Sequence, residues 1–285
     1  MAARRRVRVV AVLSTVVLAA CGAPDTETPV LPDATSTTAP TSDAPTPSAP
    51  TTPAPSTREP SEPAPTGEPP EGVPEAWRGV DLEFFDTSRK VVALTFDGGA
   101  SDAAVSSILG TLDRHDVPAT FFVTGQFARA HPDSVRAMAD AGHPVGNHSD
   151  THPSFPDSTN AQIRAELTRA DASISDLTGA VTAPLFRFPF GDRTPLDIEV
   201  VNDAGYIPFR WSADTLGWQG TDEGITTATV RDRVLATLRP GHIVLMHVGA
   251  HPSDGSTLDA DALPGIIRDL QERGYGFVTI PEMLD

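Results

Sequence analysis

Five short apolar segments of this sequence each end in, or closely precede, a side chain that can carry a proton, a charge or a metal ion. Such segments resemble strands, and in a (β/α) barrel the C-terminal strand ends converge on the face where active sites are built. One strand-end aspartate or histidine is usually a helix cap or a satisfied polar group, whereas five such endings predict a shared site. In chain order these side chains are Asp97, His148 with His152, Arg187, Asp214 and His247.

The spacing of His148 and His152 predicts a metal site. Four residues apart, the two side chains would face the same way on one helical turn and present a ring nitrogen each to one cation. Imidazole suits zinc and its neighbours in the first transition row. We therefore expect a divalent metal ion at this pair, with zinc favoured. The nearby His143 precedes the strand end and is predicted to be structural.

The remaining candidates predict hydrolysis by water. The sequence has no G-x-S-x-G elbow and its one cysteine lies near the N-terminus, so it offers no obvious acyl nucleophile. A metal ion lowers the pKa of a bound water and polarises a carbonyl group. Asp97 would accept the water's proton, and His247 would give a proton to the leaving group. Arg187 would hold Asp97 ionised and oriented, and Asp214 would do the same for His247.

The elements that must position these residues alternate between strands and helices from about Trp77 to Asp285. The strand-like runs are VVALTF, ATFFVTG, LFRFP, YIPFRW, HIVLMH and YGFVTI. Apolar residues at spacings of three and four predict helices around positions 105–112, 163–177, 230–238 and 263–270. This alternation predicts an α/β fold with a parallel sheet. Because no dinucleotide or P-loop motif appears, a (β/α) barrel is favoured over an open doubly wound sheet.

Five motifs in this order resemble those of a known family. TFDGG, HSDTH, RFPFG, SADTLGW and LMH are similar to the five motifs of polysaccharide deacetylases, the NodB-homology group or carbohydrate esterase family four. The resemblance covers about positions 91–280. It implies a distorted (β/α) barrel that removes acetyl groups from N-acetylglucosamine-type sugars in chitin or peptidoglycan. Some members cleave O-acetyl esters of xylan instead, so an acetylated glycan is the expected partner.

The resemblance also implies a role for each matching residue. The backbone NH of Phe190 falls where the family helps to bind the oxyanion. Trp218 and Leu245 match the walls of the acetyl pocket. The other matches are Asp97 to the base, His148 and His152 to the metal ligands, Arg187 to the residue that pairs with the base, Asp214 to the residue that tunes the acid, and His247 to the acid.

The first motif departs from the family at Gly98. The usual sequence is T-F-D-D-G, whose second aspartate is the third metal ligand. Here the two histidines would share the ion with water, with Asp97, or with a carboxylate from elsewhere, for which Asp102 and Asp150 are the candidates. We expect this site to hold its metal more loosely, or to prefer another ion.

Two further departures lie in the later motifs. Gly217 precedes Trp218 where many members carry an aspartate, and Phe190 replaces a common tyrosine. We interpret them as marks of a divergent subgroup that keeps the reaction. Two other interpretations stay open: a glycan-binding module that has lost catalysis, and an O-acetyl esterase of the acetylxylan type.

The N-terminus predicts export. Residues 1–21 begin with arginines, continue with a short apolar stretch and end in Leu18-Ala19-Ala20-Cys21, which resembles the lipobox of bacterial lipoproteins. Cys21 would carry the lipid and hold the protein on the outer face of the cell membrane. The alternative is a plain cleaved signal peptide and a secreted protein.

The composition separates a tether from a folded domain. Residues 22–76 are rich in Pro, Thr, Ser and Glu and poor in apolar residues, which predicts a disordered linker. Residues 77–285 form the predicted deacetylase domain. The net charge of −17 argues against nucleic acid as a partner. No protein partner is evident, and the lipid anchor is the only expected membrane contact.

Overall fold

A curved parallel β-sheet is the centre of the described part of the chain, residues 72–284 of a computed structural model. The strands are β1 (Val91–Gly98), β2 (Thr120–Val123), β3 (Val145–Asn147), β4 (Leu185–Phe186), β5 (Ile207–Pro208), β6 (Ala213–Asp214), β7 (His242–His247) and β8 (Gly276–Phe277). The helices are α1 (Val105–His115), α2 (Gly125–Ala130), α3 (Pro132–Asp140), α4 (Asn160–Thr178), α5 (Pro195–Asp203), α6 (Thr227–Ala236) and α7 (Leu258–Glu272).

The strand order is β5-β4-β3-β2-β1-β7-β6, with β8 pairing the start of β1. Every pairing between these strands is parallel, so all the strand C-termini lie at one end of the sheet. Strands β5 and β6 do not pair with each other within residues 72–284, and part of the gap is bridged by Leu82, which forms a bridge with Phe209. The prediction of a distorted (β/α) barrel is confirmed.

The two faces of β1 show how the strand period positions the site. Val92, Leu94 and Phe96 belong to the apolar cluster formed with the surrounding helices. Because alternate side chains of a strand point to opposite faces, Thr95 and Asp97 lie on the other face, toward the barrel interior. Asp97 is also opposite His247 in the β1–β7 register, so the sheet itself brings these two residues to the same end.

The local boundaries differ from the predictions in several places. Helix α4 is capped by Thr159, whose hydroxyl accepts the Gln162 NH in a capping box. Helix α1 begins without a side-chain cap. Helices α2, α3 and α5 were not predicted at all. They are short, at six to nine residues, and so contain too few turns to show a clear apolar stripe.

Residues 72–76 of the predicted linker are among the described residues. Val73, which the composition assigned to the linker, is 6% exposed and packs in an interior cluster with Trp77 at its edge. The predicted signal peptide, Cys21 and most of the predicted linker lie outside the described residues. Between residues 72 and 284, no helix is both long enough and apolar enough to span a membrane.

Candidate active site

A cleft of about 490 Å³ opens at the C-terminal ends of the strands. Its walls contain every predicted catalytic, metal and substrate residue except Arg187, which lies beneath its floor. The lining residues are Asp97, Gly99, His148, His152, Phe188, Phe190, Gly191, Trp211, Asp214, Trp218, Leu245 and His247. The structure therefore brings together side chains that the sequence separates by up to 150 positions.

Arg187 is fully buried and all three of its nitrogens donate hydrogen bonds. Nη1 donates to Asp97 Oδ1 at 2.7 Å, and Nη2 donates to Thr95 Oγ1 at 2.9 Å. Nε donates to the Phe209 carbonyl at 3.0 Å, and Nη2 also reaches the Arg210 carbonyl at 3.1 Å. A buried guanidinium needs this complete set of partners, because desolvation of an unpaired charge is costly. The predicted pairing of Arg187 with Asp97 is therefore present in the structure.

Asp97 is held as a carboxylate. Burial alone would raise its pKa, but the positive charges of Arg187, His148 and His247 bring the pKa below the ordinary value for an aspartate. One oxygen, Oδ1, is used by Arg187, while Oδ2 lies 3.5 Å from His148 Nε2. Asp97 can therefore accept a proton or a cation at Oδ2 while Arg187 fixes its orientation.

The two histidines meet in a loop, not on the helical turn that their spacing predicted. Their ring centroids are 4.8 Å apart and the rings are inclined by 76°. Ser149 and His152 adopt left-handed backbone conformations, with φ of 66° and 60°, and this turn brings the second ring back beside the first. The two rings lie side by side as predicted, but the predicted reason was wrong. No helix spans these residues, and the turn is what brings the rings together.

Hydrogen bonding selects the free nitrogen of His148. Its Nδ1 lies 2.9 Å from the Arg187 carbonyl oxygen, which can only accept, so Nδ1 carries the proton and Nε2 keeps its lone pair. Burial lowers the pKa of His148. Burial, followed by the charge that His148 carries only when protonated, lowers the pKa of His152 to about 4. Both rings are neutral at pH 7, which is the form that binds a metal ion.

A buried carboxylate behind the loop supports this geometry. Glu166 Oε2 accepts the backbone NH groups of Asp150 at 2.9 Å and Thr151 at 2.7 Å, and its other oxygen accepts the Thr151 hydroxyl at 3.1 Å. Sequence reasoning missed Glu166 because it lies on α4, where a glutamate between apolar positions looks like part of a solvated face. Its 6% exposure shows instead that it faces inward.

Neither carboxylate proposed as a third metal ligand points at the histidines. Asp150 forms ion pairs with Arg129 at 2.7 Å and with Arg169 at 3.0 Å. Asp102 accepts the Ser134 hydroxyl at 2.7 Å and lies 3.3 Å from a ring nitrogen of His131.

The space beside Gly98 is already filled. A Cβ at this position would lie 3.0 Å from Val123 and 3.3 Å from Val248, so apolar side chains pack against the glycine. The donor set left at the cleft is His148 Nε2, the His152 ring and Asp97 Oδ2. Two neutral imidazoles and a carboxylate fit a zinc-like cation by ligand chemistry.

A second group of possible ligands lies apart from this pair. Asp222, His251 and Asp254 place one ligand atom each within 4.8 Å of the others. The Asp254 carboxylate is engaged by the chain itself, because Oδ2 accepts the NH groups of Thr221 at 2.6 Å and Asp222 at 3.1 Å. We interpret the group as a hydrogen-bonded contact that joins the segment around Thr221 to the segment around Asp254.

The opposite wall is formed by β6, β7 and the segment that carries Trp218, and the first turn of α7 contacts the end of β7. Asp214, the predicted partner of His247, instead accepts the Leu216 backbone NH at 2.9 Å. The carboxylate nearest to the His247 ring belongs to Asp259 of α7, whose Oδ2 lies 3.7 Å from Nδ1 and accepts the His247 backbone NH at 2.8 Å. Burial disfavours the charged ring, but contact with Asp259 and the charges of Asp97, Asp259 and Asp214 raise the pKa of His247.

Apolar side chains form the mouth of the cleft. Phe190 and Trp218 are 68% and 50% exposed, while Leu245 is buried deeper. The Phe190 ring meets His152 edge-on with centroids 4.4 Å apart, and its backbone is left-handed with φ of 59°. Strained residues of this kind persist only where surrounding structure holds them, and they cluster at functional sites. These positions agree with the expected substrate-binding roles, which stay predictions.

Comparisons with known proteins agree with the motifs. Residues 85–209 match the polysaccharide deacetylase family. The chain is 33% identical over 193 residues to the peptidoglycan-N-acetylglucosamine deacetylase of Bacillus cereus, covering 67% of this chain and 67% of that protein. It is 32% identical over 203 residues to the chitooligosaccharide deacetylase of Sinorhizobium fredii, covering 69% of this chain and 93% of that protein.

The fold is likewise similar to solved structures. One is a mutant of a carbohydrate esterase family 4 pseudoenzyme from Bacillus anthracis with restored enzymatic activity. The TM-score is 0.66 at 29% identity, and the match covers 73% of this chain and 72% of that chain.

Proposed function

We propose, since this chain belongs to the polysaccharide deacetylase family, that it hydrolyses the acetamido groups of N-acetylated glycans such as peptidoglycan or chitin-like polymers. The observation that carries the proposal is the arrangement of Asp97, His148 and Arg187 in one buried network at the cleft floor, with His247 across the cleft. A binding module needs no matched base and acid, whereas amide hydrolysis needs both.

His148 and His152 would hold a divalent cation together with water, with zinc the expected ion, which leaves Asp97 Oδ2 free to act as the base. When bound, the cation supplies Lewis-acid polarisation of the carbonyl and lowers the pKa of water. The protein contributes two neutral rings as ligands and, beside them, the fixed Asp97 carboxylate as the base. The hydrogen bond from His148 Nδ1 to the Arg187 carbonyl orients the first ring, as outer hydrogen bonds commonly do for metal-ligating histidines.

The chain's own residues account for the proton movements. Asp97 takes one proton from the attacking water as the water oxygen bonds to the acetyl carbon. The backbone NH of Phe190 is the proposed donor to the developing oxyanion. His247, whose pKa is raised by its acidic neighbours despite burial, gives its proton to the sugar nitrogen as the C–N bond breaks. The products are acetate and a free amine, and Trp218 and Leu245 would enclose the acetyl methyl group.

The test is release of acetate from N-acetylchitooligosaccharides and from peptidoglycan, with and without added zinc. We expect His148→Ala to abolish release while the domain stays folded, and His115→Ala, on α1 far from the cleft loop, to leave it intact. Unchanged release by the His148 variant would refute the metal role. Acetylated xylan in a parallel assay decides whether an O-acetyl ester is preferred.

A second candidate function is glycan binding without catalysis. Gly98 favours it, because the family's usual third ligand is missing and the packing around the glycine leaves little space for one. Its expected signature is binding of the oligosaccharide with no acetate formed at any zinc concentration.

We further propose that the protein acts outside the cell, held to the membrane by a lipid on Cys21. Support comes from the lipobox-like sequence and from relatives named as peptidoglycan deacetylases. Cys21→Ala should release the protein from the membrane fraction or block its processing. Retention of the variant in that fraction, processed as before, would contradict the anchor.

A further inference from the structure

We infer that Asp259 is the positioning residue for His247, and that Gly217 is a glycine because the Asp259 carboxylate occupies the space beside it. The expected effect on kcat rests on the proposed function, whereas the contact between Asp259 and His247 rests on the geometry alone. Neither residue was assigned this role by the motifs, which pointed to Asp214.

The first observation is the way Asp259 reaches the acid. It lies in the first turn of α7, is 3% exposed, and accepts the His247 backbone NH through Oδ2 at 2.8 Å. The same oxygen lies 3.7 Å from His247 Nδ1. The carboxylate thus spans the backbone and the ring of one residue.

The second observation is that each of the two residues has a buried atom without a hydrogen-bond partner. His247 Nδ1 and Asp259 Oδ1 are both buried, and neither has a hydrogen-bond partner among residues 72–284. Buried polar atoms are nearly always paired. The unpaired Nδ1 lies 3.7 Å from Oδ2, so a small rotation of either side chain would form the hydrogen bond that this nitrogen lacks. Hydrogen bonds of catalytic groups are often long before substrate binds. A bond from Nδ1–H to the carboxylate leaves Nε2 as the nitrogen that exchanges a proton with substrate.

The third observation explains the glycine. A Cβ on Gly217 would lie 2.2 Å from Asp259 Oδ1 and 2.6 Å from Asp259 Cγ, so a side chain at this position would force the Asp259 carboxylate to move. Gly217 does not have a positive φ, so its backbone does not itself require glycine. A side chain at position 217 and the Asp259 carboxylate would therefore compete for one space.

Asp214 cannot take this role in the present arrangement. Its Oδ1 is occupied by the Leu216 NH at 2.9 Å, and its backbone carbonyl accepts Arg233 Nε at 2.7 Å. It acts on His247 through charge at a distance. A residue that orients the ring must contact it, and among residues 72–284 the acidic side chain that does so is Asp259.

The experiment compares Asp259→Asn with Asp261→Asn, an exposed aspartate in the same helical turn that has no contact with His247. An amide can donate to Nδ1 and favour the wrong tautomer. We expect Asp259→Asn to lower kcat for deacetylation by about 10²-fold with little change in KM, and Asp261→Asn to leave kcat unchanged. Equal kcat for the two variants would overturn the inference.

A reciprocal exchange tests the shared space. Gly217→Asp alone should lower kcat because its side chain collides with Asp259. The double variant Gly217→Asp/Asp259→Gly should recover at least tenfold over Asp259→Gly. Thermal melting of each variant confirms that it is folded. A folded double variant no more active than Asp259→Gly would count against the inference.

A spectroscopic readout separates this inference from the proposed function. The Nδ1–H proton of His247, assigned by its loss in His247→Gln, should appear far downfield in the wild-type protein and shift in Asp259→Asn but not in Asp261→Asn. This signal needs no substrate. A wild type that releases no acetate would defeat the proposed function, whereas an Nδ1–H signal unaffected by Asp259→Asn would defeat the positioning role.

Discussion

The two walls of the cleft differ in how completely their buried polar atoms are hydrogen-bonded. The wall formed by β1, β3 and β4 is a saturated network in which Arg187 donates to Asp97, Thr95 and backbone carbonyls while Arg187 in turn anchors His148. The β7 wall leaves His247 Nδ1 and Asp259 Oδ1 without partners in the described chain. A saturated network fixes geometry and resists change. Side chains with unsatisfied atoms can still change their hydrogen bonds, as His247 must when it gives its proton to the substrate.

Arg187→Met should have the largest effect, since it breaks the saturated wall. Removing one partner of a buried ion pair leaves Asp97 uncompensated and lowers the free energy of unfolding by about 3–5 kcal/mol. Deacetylation should disappear as well. Chemical denaturation measures the first effect and acetate release the second.

Arg210→Met is the matched control, because its partner Glu83 is largely solvent-exposed and surface pairs contribute at most about 1 kcal/mol. The double variant Asp97→Asn/Arg187→Met should regain stability without regaining activity. Equal losses in the free energy of unfolding for Arg187→Met and Arg210→Met would contradict the view that the Arg187 network stabilises this wall of the cleft.

The next prediction concerns the opposite end of β7. His242 is fully buried, and burial lowers its pKa to about 4, against 6.5 for the ordinary side chain. Between these values the unfolded chain binds a proton that the folded protein does not, so folded stability falls as the pH falls through this window. By pH 4 the loss approaches about 3 kcal/mol.

His242→Gln should remove this component while keeping a partner for the Ser212 hydroxyl, which lies 2.8 Å from Nδ1. The measurement is the free energy of unfolding of both proteins between pH 4 and 7.5. The variant's curve should be flatter than that of the wild type, and two parallel curves would contradict the assignment.

Glu166→Gln should loosen the metal loop without unfolding the domain. The amide cannot accept the Asp150 and Thr151 NH groups as strongly as the carboxylate does, so the turn that brings His152 beside His148 is held less firmly. Outer groups of metal sites typically contribute 10- to 100-fold in affinity, and we expect a loss of zinc affinity in about that range by calorimetry. Asp176→Asn, at an exposed position of the same helix, should bind zinc as the wild type does.

Asp214→Asn should have the smallest effect. Its carboxylate contacts the Leu216 NH, which an amide oxygen can still bind, and it influences His247 only through charge. The expected fall in kcat is less than about tenfold. A loss equal to that of Asp259→Asn would make Asp214 the partner after all and remove the proposed contrast between the two aspartates.

Much of the cleft floor was predictable from the sequence, for a local reason. Side chains at the C-terminal ends of parallel strands must meet, and the two-residue strand period decides which of them face inward. Asp97, Arg187 and His247 followed from those rules alone. The helices with long apolar stripes, α1, α4, α6 and α7, followed from the helical period, whereas the six- to nine-residue helices did not.

The sequence by itself determined which strand ends carry chemistry, because periodicity and order are properties of the local chain. Only the tertiary structure decided which carboxylate lies next to each of these strand-end residues. Asp150 pairs with arginines, and Asp102 pairs with Ser134 and His131. Asp259, twelve residues beyond His247, lies beside its ring because the first turn of α7 meets the end of β7. A side chain's partner depends on distances between elements, and these are set by how the helices pack on the sheet.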